Sequence, residues 1–206
     1  GQYGSLASRY TKALARSMSS TKEIKAANVL NNAQTAGYNG GDGVVLLSAS
    51  HPTQNGNQSN VLATAADLSE TSLESILINI SDMKDDRGLR IAAQGTQLII
   101  PTAYQFTAER LLESQLRTGT ADNDINAIKA GGYLPKGYTI MRRLTDADAF
   151  FVQTDVPDGL KHFTRSAMKK GMEGDFETGN IRYKVRERYS FGHTDWRGVF
   201  GTEGAA

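Results

Sequence analysis

The chain has 206 residues, is 39 % hydrophobic and 22 % charged, and carries a formal net charge of +1, an ordinary globular composition. Its longest apolar runs, such as Val44-Val45-Leu46-Leu47 and Leu98-Ile99-Ile100, fall far short of the roughly 20 residues of a membrane helix, so a transmembrane span is excluded and no membrane partner is expected. There is no cysteine, which rules out disulfides, thiolate metal sites and cysteine nucleophiles.

The near-zero net charge hides a segregation along the chain. Residues 1–33 hold five basic residues against Glu23 alone, residues 34–160 hold nine against fifteen acidic ones, and residues 161–206 hold nine against six. A chain divided in this way suits contact with copies of itself or with a polyanion.

Residues 5–32 read as one helix, because Leu6, Tyr10, Ala13, Leu14, Ser17 and Ile24 follow three-and-four spacing and no Pro intervenes. Its apolar face is thin, and Arg9, Lys12 and Arg16 line one side, either as a solvated face or as a stripe facing phosphates. Residues 33–66 form a long polar stretch with no Lys or Arg. Turn signals at Gly40-Gly41-Asp42-Gly43 and Asn55-Gly56-Asn57-Gln58 flank one expected strand, Val44–Leu47, so the stretch reads as an extended, hairpin-like arm.

The clearest helix spans 67–87. Asp67 and Ser69 suit its N-cap, Thr71-x-x-Glu74 suits a capping box, Leu73, Ile76, Leu77, Ile80 and Met83 form its stripe, and Arg87-Gly88 its stop. Thr96–Ile100 follows as a short buried strand. Pro101 then opens a helix with apolar positions at Ala103, Phe106, Leu111 and Leu112, and a loop runs from Thr118 to Gly132. The remainder is β-rich: strands at Tyr138–Arg142 and Phe150–Thr154, a weaker one at Leu160–Thr164, and the longest at Asn180–Phe191. In that last strand Ile181, Tyr183, Val185, Tyr189 and Phe191 alternate with Arg182, Lys184, Arg186 and Arg188, giving one apolar and one basic face. Trp196–Phe200 is a final apolar patch, and the class is α+β.

Chemistry is sparse. His51, His162 and His193 stand apart with no metal-ligand spacing, and there is no G-x-S-x-G or Walker motif. Asp122-Asn123-Asp124-Ile125-Asn126 imitates the first half of a calcium loop, but Ala127 and Tyr133 stand where that loop needs Gly and Glu. Asp85-Asp86 and Asp146-x-Asp148 fit turn chemistry better than a catalytic pair. The expectation is therefore no metal, no cofactor and a structural protein. Two other classes stay open: a small enzyme using His193 and Asp195, and a nucleic-acid-binding module using Arg9, Lys12 and Arg16 or the 182–188 face.

Several stretches resemble the major capsid proteins of tailed bacteriophages with the HK97 fold, in particular the subgroup similar to the Mu-like major head subunit. Ser48-Ala49-Ser50-His51-Pro52, then Ser59-Asn60-Val61-Leu62 and Asp67-Leu68-Ser69-x-x-Ser72-Leu73, are similar to the lead-in to that family's spine helix. The helix 69–87, Thr96-Gln97-Leu98-Ile99-Ile100-Pro101 and the Ala-containing helix ending at Leu111-Leu112 resemble the spine helix with the first axial strand and helix, and Asp195-Trp196-Arg197-Gly198-Val199-Phe200-Gly201 resembles the family's ending.

The resemblance implies a division into a helix 1–32 that is the remnant of an N-terminal arm, an extended loop 33–66 lying over a neighbouring subunit, a peripheral domain 67–95 with 166–206, and an axial domain 96–165. It implies hexamers and pentamers of the chain in an icosahedral shell around packaged double-stranded DNA, with portal and scaffolding or decoration proteins as further partners. The location implied is the virion, with assembly in the host cytoplasm. Candidate contacts between subunits are Val44, Leu46, His51, Asn55 and Asn57 in the loop and Arg182, Lys184, Arg186 and Arg188 on the strand, with Arg9, Lys12 and Arg16 facing DNA. The family usually has a substantial arm before its first helix, whereas here only a few residues precede it, so the expectation is an arm that is missing, cleaved or outside the given sequence. The loop 33–66 lacks the Lys that a Lys–Asn isopeptide crosslink between subunits would use, so none is expected. On this reading, loss of residues 40–60 spares folding of the subunit.

Overall fold

A computed structural model describes residues 2–117 and 124–205. At its centre is a four-stranded sheet in the order β4 (Tyr138–Ile140), β3 (Gly95–Ile100), β5 (Phe150–Thr154), β8 (Val199–Thr202). β3 pairs parallel with β4 and antiparallel with β5, and β5 pairs antiparallel with β8. Successive strand residues face opposite ways, and here both faces are covered, so the strands read as continuous apolar runs. Leu98, Ile100, Phe150, Val152 and Phe200 face one layer, while Ile99, Phe151 and Val199 face the other.

The first layer is helical. α2 (Glu70–Ser81) lays Leu73, Ile76, Leu77 and Ile80 on the sheet, α3 (Gln105–Glu113) adds Ala108 and Leu112, and α4 (Ala127–Gly131) adds Ile128. The Ser69 side chain caps α2 by accepting the Ser72 N–H at 3.2 Å, while the Ser72 hydroxyl accepts the Ser69 N–H at 2.9 Å. The capping box is thus Ser69/Ser72, two residues earlier than Thr71/Glu74. α2 also stops at Ser81, well before Gly88. The Asp85 carboxylate accepts the N–H groups of Arg87 and Leu89, both at 2.8 Å, and this local alternative outcompetes further helix. Phe106, an expected apolar contact, is exposed on the outer side of α3, and α4 occupies part of the stretch expected to be loop.

The second layer comes from the chain's first sixty residues. α1 (Gln2–Asn31) ends with Leu30 and, just beyond it, Ala33 against the sheet, and Leu46, Leu47 and Trp196 complete this side. The expected strand at 44–47 makes only a single bridge, Asn39 to Val45, because its apolar side chains are used face-on against the sheet rather than its backbone edge-on. Two three-residue strands, β1 (His51–Thr53) and β2 (Gly56–Gln58), are all that forms of a hairpin in this region.

Away from this body runs a long antiparallel hairpin, β6 (Leu160–Gly174) with β7 (Ile181–His193), paired from Leu160–His193 to Gly174–Ile181. Only the start of β6 was legible as a strand; register shifts between Thr164 and Ser166 and between Ser166 and Lys169 spoil its alternation. Its root is held by close backbone packing. A Cβ on Gly198 would lie 2.3 Å from the Gly159 Cα, so neither glycine can be replaced without moving main chain.

These contacts correct the division expected from sequence. A boundary at 95/96 separates α2 from β3 although their side chains share one core, and a boundary at 165/166 cuts through β6. Among the described residues the structure instead has a three-layer body of roughly 32–117, 124–159 and 194–205, plus an arm made of α1 and the β6–β7 hairpin. Removing residues 40–60 would take Leu46, Leu47, His51 and Asn60 out of the interior, so the deletion is expected to destabilise the body rather than spare it. Phe150→Ala, at a fully buried position against α2, is expected to lower stability by about 3–5 kcal/mol, whereas Ile78→Ala on the open side of α2 changes it by about 0.5 kcal/mol or less. Urea unfolding of both variants checks this, and equal midpoints would refute the assignment of the core.

Candidate functional site

Two groups of residues carry the features singled out in the sequence. The first is a buried polar knot. His51 is 0 % exposed and stacks on Trp196, with ring centroids 4.2 Å apart and planes 4° from parallel. Asn60, also 0 % exposed, donates from Nδ2 to the carbonyls of Leu46 (2.7 Å), Trp196 (3.2 Å) and Val199 (3.0 Å). Its Oδ1 accepts the Ser48 N–H at 2.9 Å and lies 3.1 Å from His51 Nε2, while His51 Nδ1 lies 2.6 Å from the Asp42 carboxylate. Both ring nitrogens therefore face side-chain oxygens.

This geometry corrects two expected contacts. Leu46 and His51 are interior groups that hold the chain's own 42–60 segment to its 195–200 segment, so neither is available to a neighbour. Val44 is half-buried beside them, and Asn55 and Asn57 are exposed at the β1–β2 turn. Asn60 and Trp196 appeared in the sequence only as parts of motifs. Their buried hydrogen bonding and stacking account for why those motifs look as they do.

The Asp195–Gly201 ending is explained in the same way. Asp195 accepts the Arg197 N–H at 2.9 Å, and the buried Arg197 guanidinium donates to Asp86 at 2.7 Å and to the Lys84 carbonyl at 3.0 Å while covering Trp196. Asp195 is thus committed to Arg197. His193 sits instead against Gly40. Burial holds its pKa below the ordinary 6.5, with Asp42 opposing and His51 adding to the shift. The calcium-like run lies partly outside the described residues, at Asp122 and Asn123. Its Asn126 caps α4, accepting the Ile128 N–H at 3.1 Å.

The second group is the arm. Arg182, Lys184, Arg186 and Arg188 are exposed on one face of β7, and Tyr183, Val185, Tyr189 and Phe191 are half-buried on the other. Glu187 falls on this second face, where it breaks the apolar alternation, and that break is the sequence signal for a partner on another element. The partner is Lys22 of α1, whose Nζ donates to Glu187 Oε1 at 2.6 Å and lies 5.2 Å from the Tyr189 ring centre. The Glu187 side chain is 5 % exposed, and its Oε2 is buried without a hydrogen bond. Beyond this junction, Arg9, Lys12 and Arg16 lie exposed on the first half of α1. The structure thus brings helix and hairpin together at Lys22–Glu187. It keeps the basic strand face and the Arg9–Arg16 stripe as open surfaces.

The knot sets a pH dependence. Burial raises the pKa of Asp42, but the His51 hydrogen bond, the Val44 N–H and the His51 charge outweigh it and hold the carboxyl below its ordinary 3.8. Its contribution to stability is complete above that value and is lost as pH falls through the lower folded one. For His193 the unfolded chain takes up a proton first, so stability starts to fall as pH drops below 6.5. His193→Gln is expected to flatten the decline in melting temperature between pH 7 and 5. Thermal melts that decline identically in variant and parent would refute this.

The fold and its arm can be set beside known proteins. A family model described as phage capsid protein matches residues 1–201. Among solved structures, one from Mycobacterium phage Che8 superposes with a TM-score of 0.51 at 15 % identity, covering 94 % of this chain and 61 % of that one. A phage-related protein from Bordetella bronchiseptica RB50 superposes with a TM-score of 0.53 at 11 % identity, covering 96 % and 64 %. The chain therefore spans less than two thirds of the length of either. Comparison with curated proteins finds no match. With an α+β fold shared at near-full coverage and a family match that runs from Gly1 into β8, the chain belongs to the phage capsid protein family.

Proposed function

We propose that this chain is the shell-building portion of a major head subunit, a structural protein rather than an enzyme. Copies associate as hexamers and pentamers into an icosahedral shell around double-stranded DNA, with a portal and scaffolding or decoration proteins as accessory partners. The virion is its location and the host cytoplasm its place of assembly. The observation that carries this reading is the division between a body whose sheet is covered on both faces and an arm that is largely uncovered. A finished core needs no further partner, whereas a two-stranded hairpin standing in water is at best marginally stable and gains from a neighbour.

The residue-level geometry favours a mapping different from the one the resemblance implied. At 30 residues, and about 45 Å by helical rise, α1 is the longer helix beside the 12 residues of α2, and it suits the role of spine. The arm of α1 and β6–β7 then corresponds to the peripheral part and the three-layer body to the axial part. The Mu-like subgrouping stays part of this proposal.

A second reading is kept open by a specific feature. The exposed Arg9, Lys12 and Arg16 and the β7 cations would also suit a nucleic-acid-binding module. Electron microscopy of the full-length protein, sized beforehand by light scattering, decides between them. Uniform polyhedral particles tens of nanometres across are expected. Monomers or dimers that instead bind duplex DNA with steep salt dependence would replace the shell reading with the nucleic-acid module.

A further inference from the structure

The charge segregation along the chain becomes a spatial one once the fold is known. Residues 1–31 and 160–193, which make up the arm, hold thirteen Lys and Arg against five Asp and Glu, for a net +8. The rest of the chain holds ten against seventeen, for a net −7. Little of this is neutralised internally. Lys161 at the hairpin's root pairs with Asp158 just outside it, Lys22 of α1 pairs with Glu187, and Arg182 pairs with Asp175. Among the described residues, Arg165, Lys169, Lys170, Lys184, Arg186 and Arg188 have no carboxylate within ion-pair distance. The distal half of the hairpin is exposed on both faces and lies away from the carboxylates of its own body.

The same distal half exposes large apolar side chains: Met168 at 37 %, Ile181 at 59 %, Met172 at 68 % and Phe176 at the tip fully exposed. Met and aromatic residues are enriched at protein–protein contacts, where a polar rim surrounds an apolar centre. Both edges of the hairpin also present unpaired backbone groups.

We propose that the β6–β7 hairpin of one copy docks head to tail on the acidic body of a second copy, with Lys169, Lys184 and Arg186, which share one face, meeting carboxylates and Phe176 at the tip covered by the contact. The proposal rests on the shell-building reading and specifies which two surfaces meet. Charge complementarity selects the occupant. A neighbouring copy offers the −7 that the +8 arm lacks, and the contact repeats from copy to copy, as a heterologous interface must. A nucleic acid would match the cations, but it would leave Phe176 at the tip uncovered and would be repelled by the acidic body.

The test uses the full-length protein carrying Lys169→Glu, Lys184→Glu and Arg186→Glu together, three exposed positions outside the core. Sedimentation and light scattering are expected to show self-association weakened about tenfold or more, with circular dichroism and the thermal melt of the body unchanged. Mixed with the parent protein, the variant should cap assembly, since it accepts an arm but offers none. If the triple variant does not fold, Phe176→Asp at the tip replaces it, with the same loss expected. Association equal to the parent's overturns the docking proposal and leaves the shell reading standing. Normal association with lost retention of duplex DNA assigns the arm to nucleic acid and also overturns it. A parent protein that stays monomeric at every concentration overturns the shell reading itself, and the docking proposal with it.

Discussion

The structure depends on the buried contact between Asn60, His51 and Trp196. The segment 42–60 has too few apolar residues to pack by hydrophobic burial alone, and Leu46 and Leu47 are its main contribution to the core. What holds it is a satisfied polar network: one amide group serving three carbonyls, and an imidazole set between Asp42 and Asn60 and stacked on an indole. In a low-dielectric interior such a network is strong when complete and costly when broken, so it fixes the path of two distant segments together. Because β8 begins at Val199, one short turn after Trp196, the same contact places β8 at the sheet edge. Because His193 and Thr194 precede it, it also sets where the hairpin leaves the body.

From that anchor the division of labour follows. The body buries both faces of its sheet and completes its own core. The arm is fastened at its root by the Gly159–Gly198 contact and along its length by Lys22–Glu187. An ion pair with Glu187 nearly buried is costly to break, since a lone buried charge would remain, and it therefore specifies how helix and hairpin register. The outer part of the arm, among the described residues, has nothing of its own chain to rest on, and an isolated two-stranded hairpin is only marginally stable in water.

Much of the fold was legible because its signals are local. The alternation of β7, the stripe of α2, the buried runs at 96–100 and 150–154 and the long first helix all appear where periodicity placed them. Where an expectation failed, a competing contact explains it. Asp85 ended α2 early, bulges hid most of β6, and the run 44–47 spent its side chains on a sheet face instead of forming a strand. The same cause removed Leu46 and His51 from the candidate contacts. A polar stretch rich in Gly and Asn looks alike whether it hangs free or is stitched down, until its hydrogen-bond partners are known.

The sequence by itself determined the α+β class, the apolar strands of the central sheet, the two-faced character of β7 and the uneven charge, since each reflects the spacing or composition of neighbouring residues. Only the tertiary structure decided that 42–60 belongs to the interior, that α2 and β3 share one core, and that the positive charge of both chain ends gathers in one arm beside a negative body. The first and last of those outcomes depend on pairings across more than a hundred residues, such as Asn60 with Trp196 and Lys22 with Glu187, and periodicity records which way a side chain points but not what it will meet.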